Sequence, residues 1–320
     1  MNISSRVLLA AAATSLISFV ACSGLQAAEG GSGFYLLGSR GPLAGITPPP
    51  GVFFQDDFYF YSGDTGGSFD LGGATVGLGV DADVFLNLPT GLWVTPWEIL
   101  GGNLGFSATL VIGGPDISAG ITSPVVIPLA TDSITTFGDP VLGAFLGWHN
   151  GNLHWQTGVT VNVPIGDYRK GGIANVALNY WAADVYGAAT WLDPATGFEL
   201  SGAMGVSFNA ENTATNYQSG TEFHLEGAIV QHFSQAFDVG LVGYYYDQVT
   251  ADSGSGVPAS LGGFEGQVAA VGATIGYNFQ LGALPVSTRI KYFHEFNAEN
   301  RLEGDAAYLT VSMPLWVPQN

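Results

Sequence analysis

The sequence has little charge, few basic residues and almost no cysteine. Charged residues are 10% of its 320 positions, and 7 Lys and Arg stand against 26 Asp and Glu, for a net charge of −19. So few cations cannot neutralise a run of phosphates, which excludes nucleic acid as a partner. They equally exclude docking on anionic lipid through a basic patch. Cys22 is the single cysteine, so there is no intrachain disulfide and no Cys-based metal site. No Gly-x-Ser-x-Gly elbow, His-Glu-x-x-His helix or Walker-type loop occurs, and the expectation is neither an enzyme nor a cofactor. Beyond the first apolar run, no stretch reaches the ~20 apolar residues of a membrane helix, so any passage through a bilayer must be made by strands.

That first run carries an export signature. Arg6 precedes the apolar Val7–Val20, and Ala27 and Ala28 supply small residues for cleavage. This predicts a secretory signal peptide over residues 1–28 and a mature chain over 29–320. Phe19-Val20-Ala21-Cys22 also loosely matches a lipoprotein box in which Cys22 would be lipidated.

What the sequence does have is long alternating stretches. In Phe198–Asn209 one parity reads Phe198, Leu200, Gly202, Met204, Val206, Phe208, and the other reads Glu199, Ser201, Ala203, Gly205, Ser207, Asn209. Thr221–Phe233 and Phe237–Thr250 repeat the pattern. A period of two means strand, and one apolar face over ~9–11 residues matches a tilted membrane-crossing strand. Soluble β-sandwiches alternate too, but their strands usually run to only ~5–6 residues. The expected fold is all-β, a transmembrane antiparallel up-and-down barrel with acids confined to loops or lumen.

Further candidate strands are Gly33–Leu37 (or a linker), Val52–Ser62, Ala74–Leu88, Leu104–Ile112 and Ile117–Ile127, the last two joined by a turn at Gly113–Asp116. Leu88–Gly102, with Pro89 and Pro96, reads as a loop. Pro140–His149 and Asn152–Val163 form a hairpin at Asn150-Gly151, the strongest short-range hairpin signal. Val185–Leu192, Gln267–Phe279, Leu284–Phe296 and Asp305–Trp316 complete the series. The count is fourteen strands, or twelve if Gly33–Leu37 and a neighbour are plug or linker. Connections alternate between short near Asn150, Pro194, Ser234 and Gly282 and long near Gly171, Asn212, Gly254 and Glu299. Short periplasmic turns, long outer loops and both termini in the periplasm follow from that alternation. Trp148 and Trp155 flank the hairpin turn as an interface girdle would, and Trp316 ends the last strand.

Parity also assigns a lumen. Arg289 and Lys291 fall opposite Val286, Thr288, Ile290 and Tyr292, which spares the ~2–4 kcal/mol of a cation facing lipid at the midplane. Glu199, Glu222, His224, Glu226, Asp238, Tyr244, Tyr246 and Glu295 join them as lumen and transport candidates. Opposed charges across a pore wall suit small polar or amphipathic solutes; a hydrogen-bonded, plugged interior is the alternative. His149 and His154 could face each other across one hairpin, but two imidazoles are too few for a metal site. Ser207 and His224 could pair as in barrel hydrolases, though no motif surrounds either. Phe-Asn-Ala-Glu-Asn occurs at Phe208–Asn212 and again at Phe296–Asn300. Glu211 and Glu299 are thus weak calcium candidates, and turn-forming Asn chemistry is the plainer account.

Several segments resemble the outer-membrane proteins associated with the meta-pathway of phenol degradation. They include Ala44-Gly45-Ile46 with Pro48-Pro49-Pro50-Gly51, Gly138-Asp139-Pro140, and Gly147-Trp148-His149-Asn150-Gly151-Asn152-Leu153-His154-Trp155. Pro164-Ile165-Gly166-Asp167-Tyr168, Phe208–Asn212, Tyr217–Gly220 with Phe223-His224, and Gly243-Tyr244-Tyr245-Tyr246 extend the likeness over most of the mature chain. The resemblance implies a channel of the bacterial outer membrane, linked with aromatic-compound catabolism. The expectation is passive diffusion of small aromatic or hydrophobic molecules. Partners would be outer-membrane lipid, those solutes and the barrel-assembly machinery. The rival is a non-transporting barrel acting through its outer loops.

Overall fold

Alternation at period two builds the wall. The computed structural model describes residues 33–71, 74–123, 126–257 and 264–318; the expected signal peptide over 1–28, Cys22 included, lies outside them. The strands are β1 (Gly51–Leu71), β2 (Ala74–Ile99), β3 (Gly102–Thr109), β4 (Ile112–Ser123), β5 (Ile127–Ser133), β6 (Thr136–Phe137), β7 (Val141–Asn150) and β8 (Leu153–Asn162). They continue as β9 (Ala182–Asp193), β10 (Phe198–Asn209), β11 (Glu222–His232), β12 (Phe237–Gln248), β13 (Gln267–Leu281), β14 (Leu284–Glu299) and β15 (Glu303–Trp316). All pairings are antiparallel. β1 pairs both β15 and β2, so the sheet closes into a barrel of 12 strands.

Two differences from the sequence expectation bring fourteen down to twelve. Gly33–Leu37 is not a wall strand but part of a segment inside the barrel. Leu104–Ile112 and Ile117–Ile127 are not two strands but one line, β3 followed by β4. Both pair β2 in a single register, since Thr90 lies opposite Thr109 and Asn87 opposite Ile112. Leu88–Gly102 is likewise wall, not loop: β2 runs through it unbroken.

Pro89 and Pro96, which suggested a loop, and Pro115, which suggested a turn, sit where the ladder is interrupted, the places a residue without an N–H can occupy. Pro89 lies opposite the gap between β3 and β4, where Leu110 N–H donates to its carbonyl. Pro96 falls in the register shift between Val94 and Glu98. Pro115 lies opposite the gap between β5 and β6, and Ile134 N–H donates to its carbonyl. Pro140 separates β6 from β7.

The connections alternate. Short turns follow β2, β7, β9, β11 and β13, while 163–181, 210–221 and 249–266 are long. The loop expected over 297–304 is instead a tight turn, because β14 reaches Glu299 and β15 begins at Glu303. Asn297 and Asn300 take left-handed φ there, 58° and 52°, a geometry Asn tolerates. Neither Asn209 nor Asn212 does so among the described residues. The two Phe-Asn-Ala-Glu-Asn copies therefore do not form equivalent rims, and Glu211 and Glu299 point into solvent.

Outward side chains are apolar and exposed, among them Leu200, Met204, Leu241, Ile275 and Ile290. Acids are not confined to loops and lumen as expected. Asp56 lies on the outward parity between Phe54 and Phe58, where it accepts a 2.6 Å bond from Asn87 Nδ2, a partner that lowers the cost of its position.

Candidate functional site

The lumen is the site, and its two sides differ. On β9–β14, register stacks polar side chains in rows. Asp184, Ser207, Glu222 and Gln248 form one row across β9–β12. Tyr186, Gly205, His224 and Tyr246 form the next, and Glu226, Tyr244, Ala270 and Glu295 a third across β11–β14. Glu199, Glu222, His224, Glu226, Asp238, Tyr244, Tyr246, Lys291 and Glu295 are all buried inside the barrel, and Arg289 is nearly so at 16% side-chain exposure.

Buried charge must be paired or hydrogen-bonded, and much of it here is. Arg289 grips Asp238 through two bonds of 2.8 and 3.0 Å. His232 Nε2 lies 2.7 Å from Glu199 Oε2, and its Nδ1 lies 3.7 Å from Asp238. Glu295 accepts from Tyr244 at 2.8 Å, from Tyr61 at 2.9 Å and from Gly304 N–H at 3.0 Å.

Much of this wall bonds to residues 33–50, which pass through the lumen as a plug. Glu226 Oε1 accepts from Tyr35 OH at 2.8 Å and Gly38 N–H at 3.0 Å. Glu199 accepts from Leu43 N–H at 2.6 Å, and Thr190 Oγ1 from Gly45 N–H at 3.0 Å. Lys291 Nζ donates to three successive carbonyls, those of Gly38, Ser39 and Arg40. Gly38 makes that nest possible: its φ of +81° suits glycine, and a Cβ there would press on the Phe293 ring at 2.7 Å. The Arg40 guanidinium lies 3.5 Å over the Tyr186 ring, a cation–π contact.

Opposite stands an apolar wall. β1 turns Phe53, Tyr59 and Tyr61 inward, with Gln55 and Asp57 between them on the same parity and bonded to each other at 2.7 Å, and β2 turns Val84, Leu86, Leu88, Leu92 and Val94 inward. Phe145 on β7 packs with Val94 and Tyr186. Val84, Leu86, Leu88 and Leu92 stay partly exposed, so the plug does not cover this side completely. Parity reasoning found the charged rows but not this wall. The available signal was that short stretches of β1 and β2 are apolar at both parities, as in Tyr59-Phe60-Tyr61 and Val84-Phe85-Leu86. The plug's partners Tyr186, Gln156 and Thr190 were not singled out either.

The remaining candidates are spread out. Trp148 and Trp155 stack at 6.2 Å between centroids, and Trp148 Nε1 donates to Leu100 O at 3.1 Å. Trp316 is exposed at the same, short-turn end. His149 and His154 sit 6.3 Å apart at the hairpin tip, and no group of three or more metal-ligating side chains occurs among the described residues. Ser207 and His224 both bond Asp184 Oδ1, at 3.0 and 2.8 Å. The carboxylate thus stands between hydroxyl and imidazole, whereas a hydrolase needs the imidazole between the other two.

The family profile described as "Putative MetA-pathway of phenol degradation" matches residues 65–311. No curated protein matches the sequence. Among solved structures, the outer membrane channel from Pseudomonas putida F1 superposes with a TM-score of 0.70 at 13% identity, over 86% of this chain and 99% of that one. That likeness shows the barrel fold. A FadL homologue from Pseudomonas aeruginosa aligns at 12% identity over 82% of this chain and 89% of that one, with a TM-score of 0.32. OpdK with vanillate, also from Pseudomonas aeruginosa, aligns at 10% over 83% and 99%, again at 0.32. At that score neither bears on this chain.

Proposed function

The chain belongs to the family described as "Putative MetA-pathway of phenol degradation", and from that premise we propose an outer-membrane channel that passes small aromatic or hydrophobic molecules by passive diffusion. The outward apolar face of β10 from Phe198 to Phe208 spans ~25 Å at a typical strand tilt, the height of the lipid-facing band of such barrels. Trp148, Trp155 and Trp316 would mark its periplasmic border.

The observation that carries the transport reading is the partly exposed strip Val84, Leu86, Leu88 and Leu92 beside the plug. A solute that prefers apolar surface has a path along β2, through the lumen or sideways into lipid, while the plug occupies the charged side. Glu199, His224, Glu226 and Lys291 then act mainly by holding the plug, while Glu222, Asp238, Tyr244, Tyr246, Arg289 and Glu295 brace the wall around it. The rival, a barrel that transports nothing and acts through its loops, draws support from the density of plug bonds and from the ties between outer loops, such as Gln218 with Ser253.

Single-channel conductance of the refolded protein in a planar bilayer separates the two, with phenol or benzoate added afterwards. Transport predicts discrete steps that the solute blocks. A folded, heat-modifiable barrel that stays silent even with Lys291→Ala would refute it.

A further inference from the structure

The plug carries a phenol of its own, and the wall holds it as a ligand would be held. Tyr35 lies flat on His224, with ring centroids 3.5 Å apart and planes within 10°. Its hydroxyl donates to Glu226 Oε1 at 2.8 Å. Both partners belong to the wall, not to the plug, and both are fixed from behind. His224 is oriented by Asp184 at 2.8 Å. It can lie flat because its neighbour across the ladder is Gly205, where a Cβ would collide with the imidazole. Glu226 is buried, and its Oε2 has no hydrogen-bond partner, so acceptor capacity remains beside the seat. Tyr35 itself stays partly exposed, and it packs in the same cluster as Leu86 and Leu88 of the apolar strip.

We infer that His224 and Glu226 form a binding seat for phenols, with Tyr35 as its tethered occupant. The ring face of His224 reads the flat aromatic ring, and the Glu226 carboxylate reads the hydroxyl. A phenolic solute moving along β2 reaches this seat from the side on which Tyr35 is exposed, and competes with Tyr35 for it. Hydrocarbons of the same shape have no donor for Glu226 and pass without stopping. This inference rests on the transport reading for its biological use, but the seat itself can be tested without transport.

The test uses 4-methylphenol, which reproduces the Tyr35 side chain, with toluene as the control lacking the hydroxyl. Binding to the refolded protein is measured by titration calorimetry for the natural sequence, for Tyr35→Ala, and for Tyr35→Ala with Glu226→Gln. Removing the tethered ring should expose one saturable site that binds 4-methylphenol at least about tenfold more tightly than the natural protein does, and about tenfold more tightly than it binds toluene, as a hydrogen bond to a charged acceptor implies. Glu226→Gln in that background should lower the affinity by a similar factor. Equal binding of toluene and 4-methylphenol, equal affinity with and without Tyr35, or no binding by a folded Tyr35→Ala barrel would each overturn the inference. Flux of phenol through the same variants in liposomes keeps the two proposals apart. Binding without flux sinks the transport reading alone, and flux without binding sinks the seat alone.

Discussion

The two sides of the lumen solve different problems. The β9–β14 side is charged, buried and densely hydrogen-bonded, in part to residues 33–50, although Asp184 Oδ2, Glu222 Oε2 and Glu226 Oε2 keep acceptor capacity unused. The β1–β2 side offers Val84, Leu86, Leu88 and Leu92, which make no directional bonds and are only partly covered. Directional bonds fix a segment in one place, because each buried group left unpaired costs ~1–3 kcal/mol. Apolar contact is indifferent to position, and a molecule can slide along it. A barrel that is plugged on one side and slippery on the other can hold its own chain and still admit a solute.

Breaking the charged side should give the largest effect. Asp238→Ala leaves Arg289 without its carboxylate and deprives His232 of a neighbour; an uncompensated charge of this kind costs ~3–5 kcal/mol, to be read as a lower urea midpoint of the refolded barrel. An unchanged midpoint would mean that water reaches Arg289 freely. Lys291→Ala should act on the plug more than on the wall. Losing about 1.4 kcal/mol of latch energy raises the open fraction about tenfold, visible as larger or more frequent conductance steps with the barrel still heat-modifiable.

The apolar side should respond the other way round. Leu88→Ala removes a partly exposed side chain, so stability should fall by only about 1 kcal/mol. Its effect belongs in solute block, weakened for benzoate with ion conductance little changed. If Leu88→Ala instead opened the channel as Lys291→Ala does, the contrast between the sides would collapse.

The smallest effect lies outside the barrel proper. Asp132 is held below the usual carboxylate range, first by the backbone N–H of Ala174 and then by Arg169 at 3.0 Å. A depressed carboxylate lends stability above its unfolded value of ~3.9 and loses it as pH falls through the folded value. The clasp between β5 and the 163–181 loop should therefore loosen only in acid. Proteolysis of that loop should quicken below about pH 4 in the natural protein, and Asp132→Asn should show the faster rate at neutral pH as well.

Much of this was legible in the sequence because a wall with lipid outside must alternate. Glu222, His224 and Glu226 could be placed inside from parity alone, since one slip would put all three in lipid. Lys291 and Arg289 followed from the same argument. The apolar lumen strip was not legible in this way: Val84-Phe85-Leu86 has no polar parity, so nothing separates the face toward solute from the face toward lipid. Pro89 and Pro96 misled because a proline signals a break without saying which strand breaks. Here the interruption opposite Pro89 falls between β3 and β4, while β2 itself continues. A plug was one alternative for Gly33–Leu37, but its seat against the wall was not legible, because its contacts join residues 156 and 253 apart, as Leu43 with Glu199 and Lys291 with Gly38, which no local pattern records.

The most direct test of a solute path along β2 is thiol accessibility during conductance. With Cys22→Ser as background, Leu86→Cys places a thiol on the strip, and Ala228→Cys places one on the buried opposite side. A small thiol reagent added to an open channel should modify position 86 and block the current while leaving position 228 unreacted. An unreactive position 86 in a folded, conducting barrel, or equal reaction at both positions, would contradict the account.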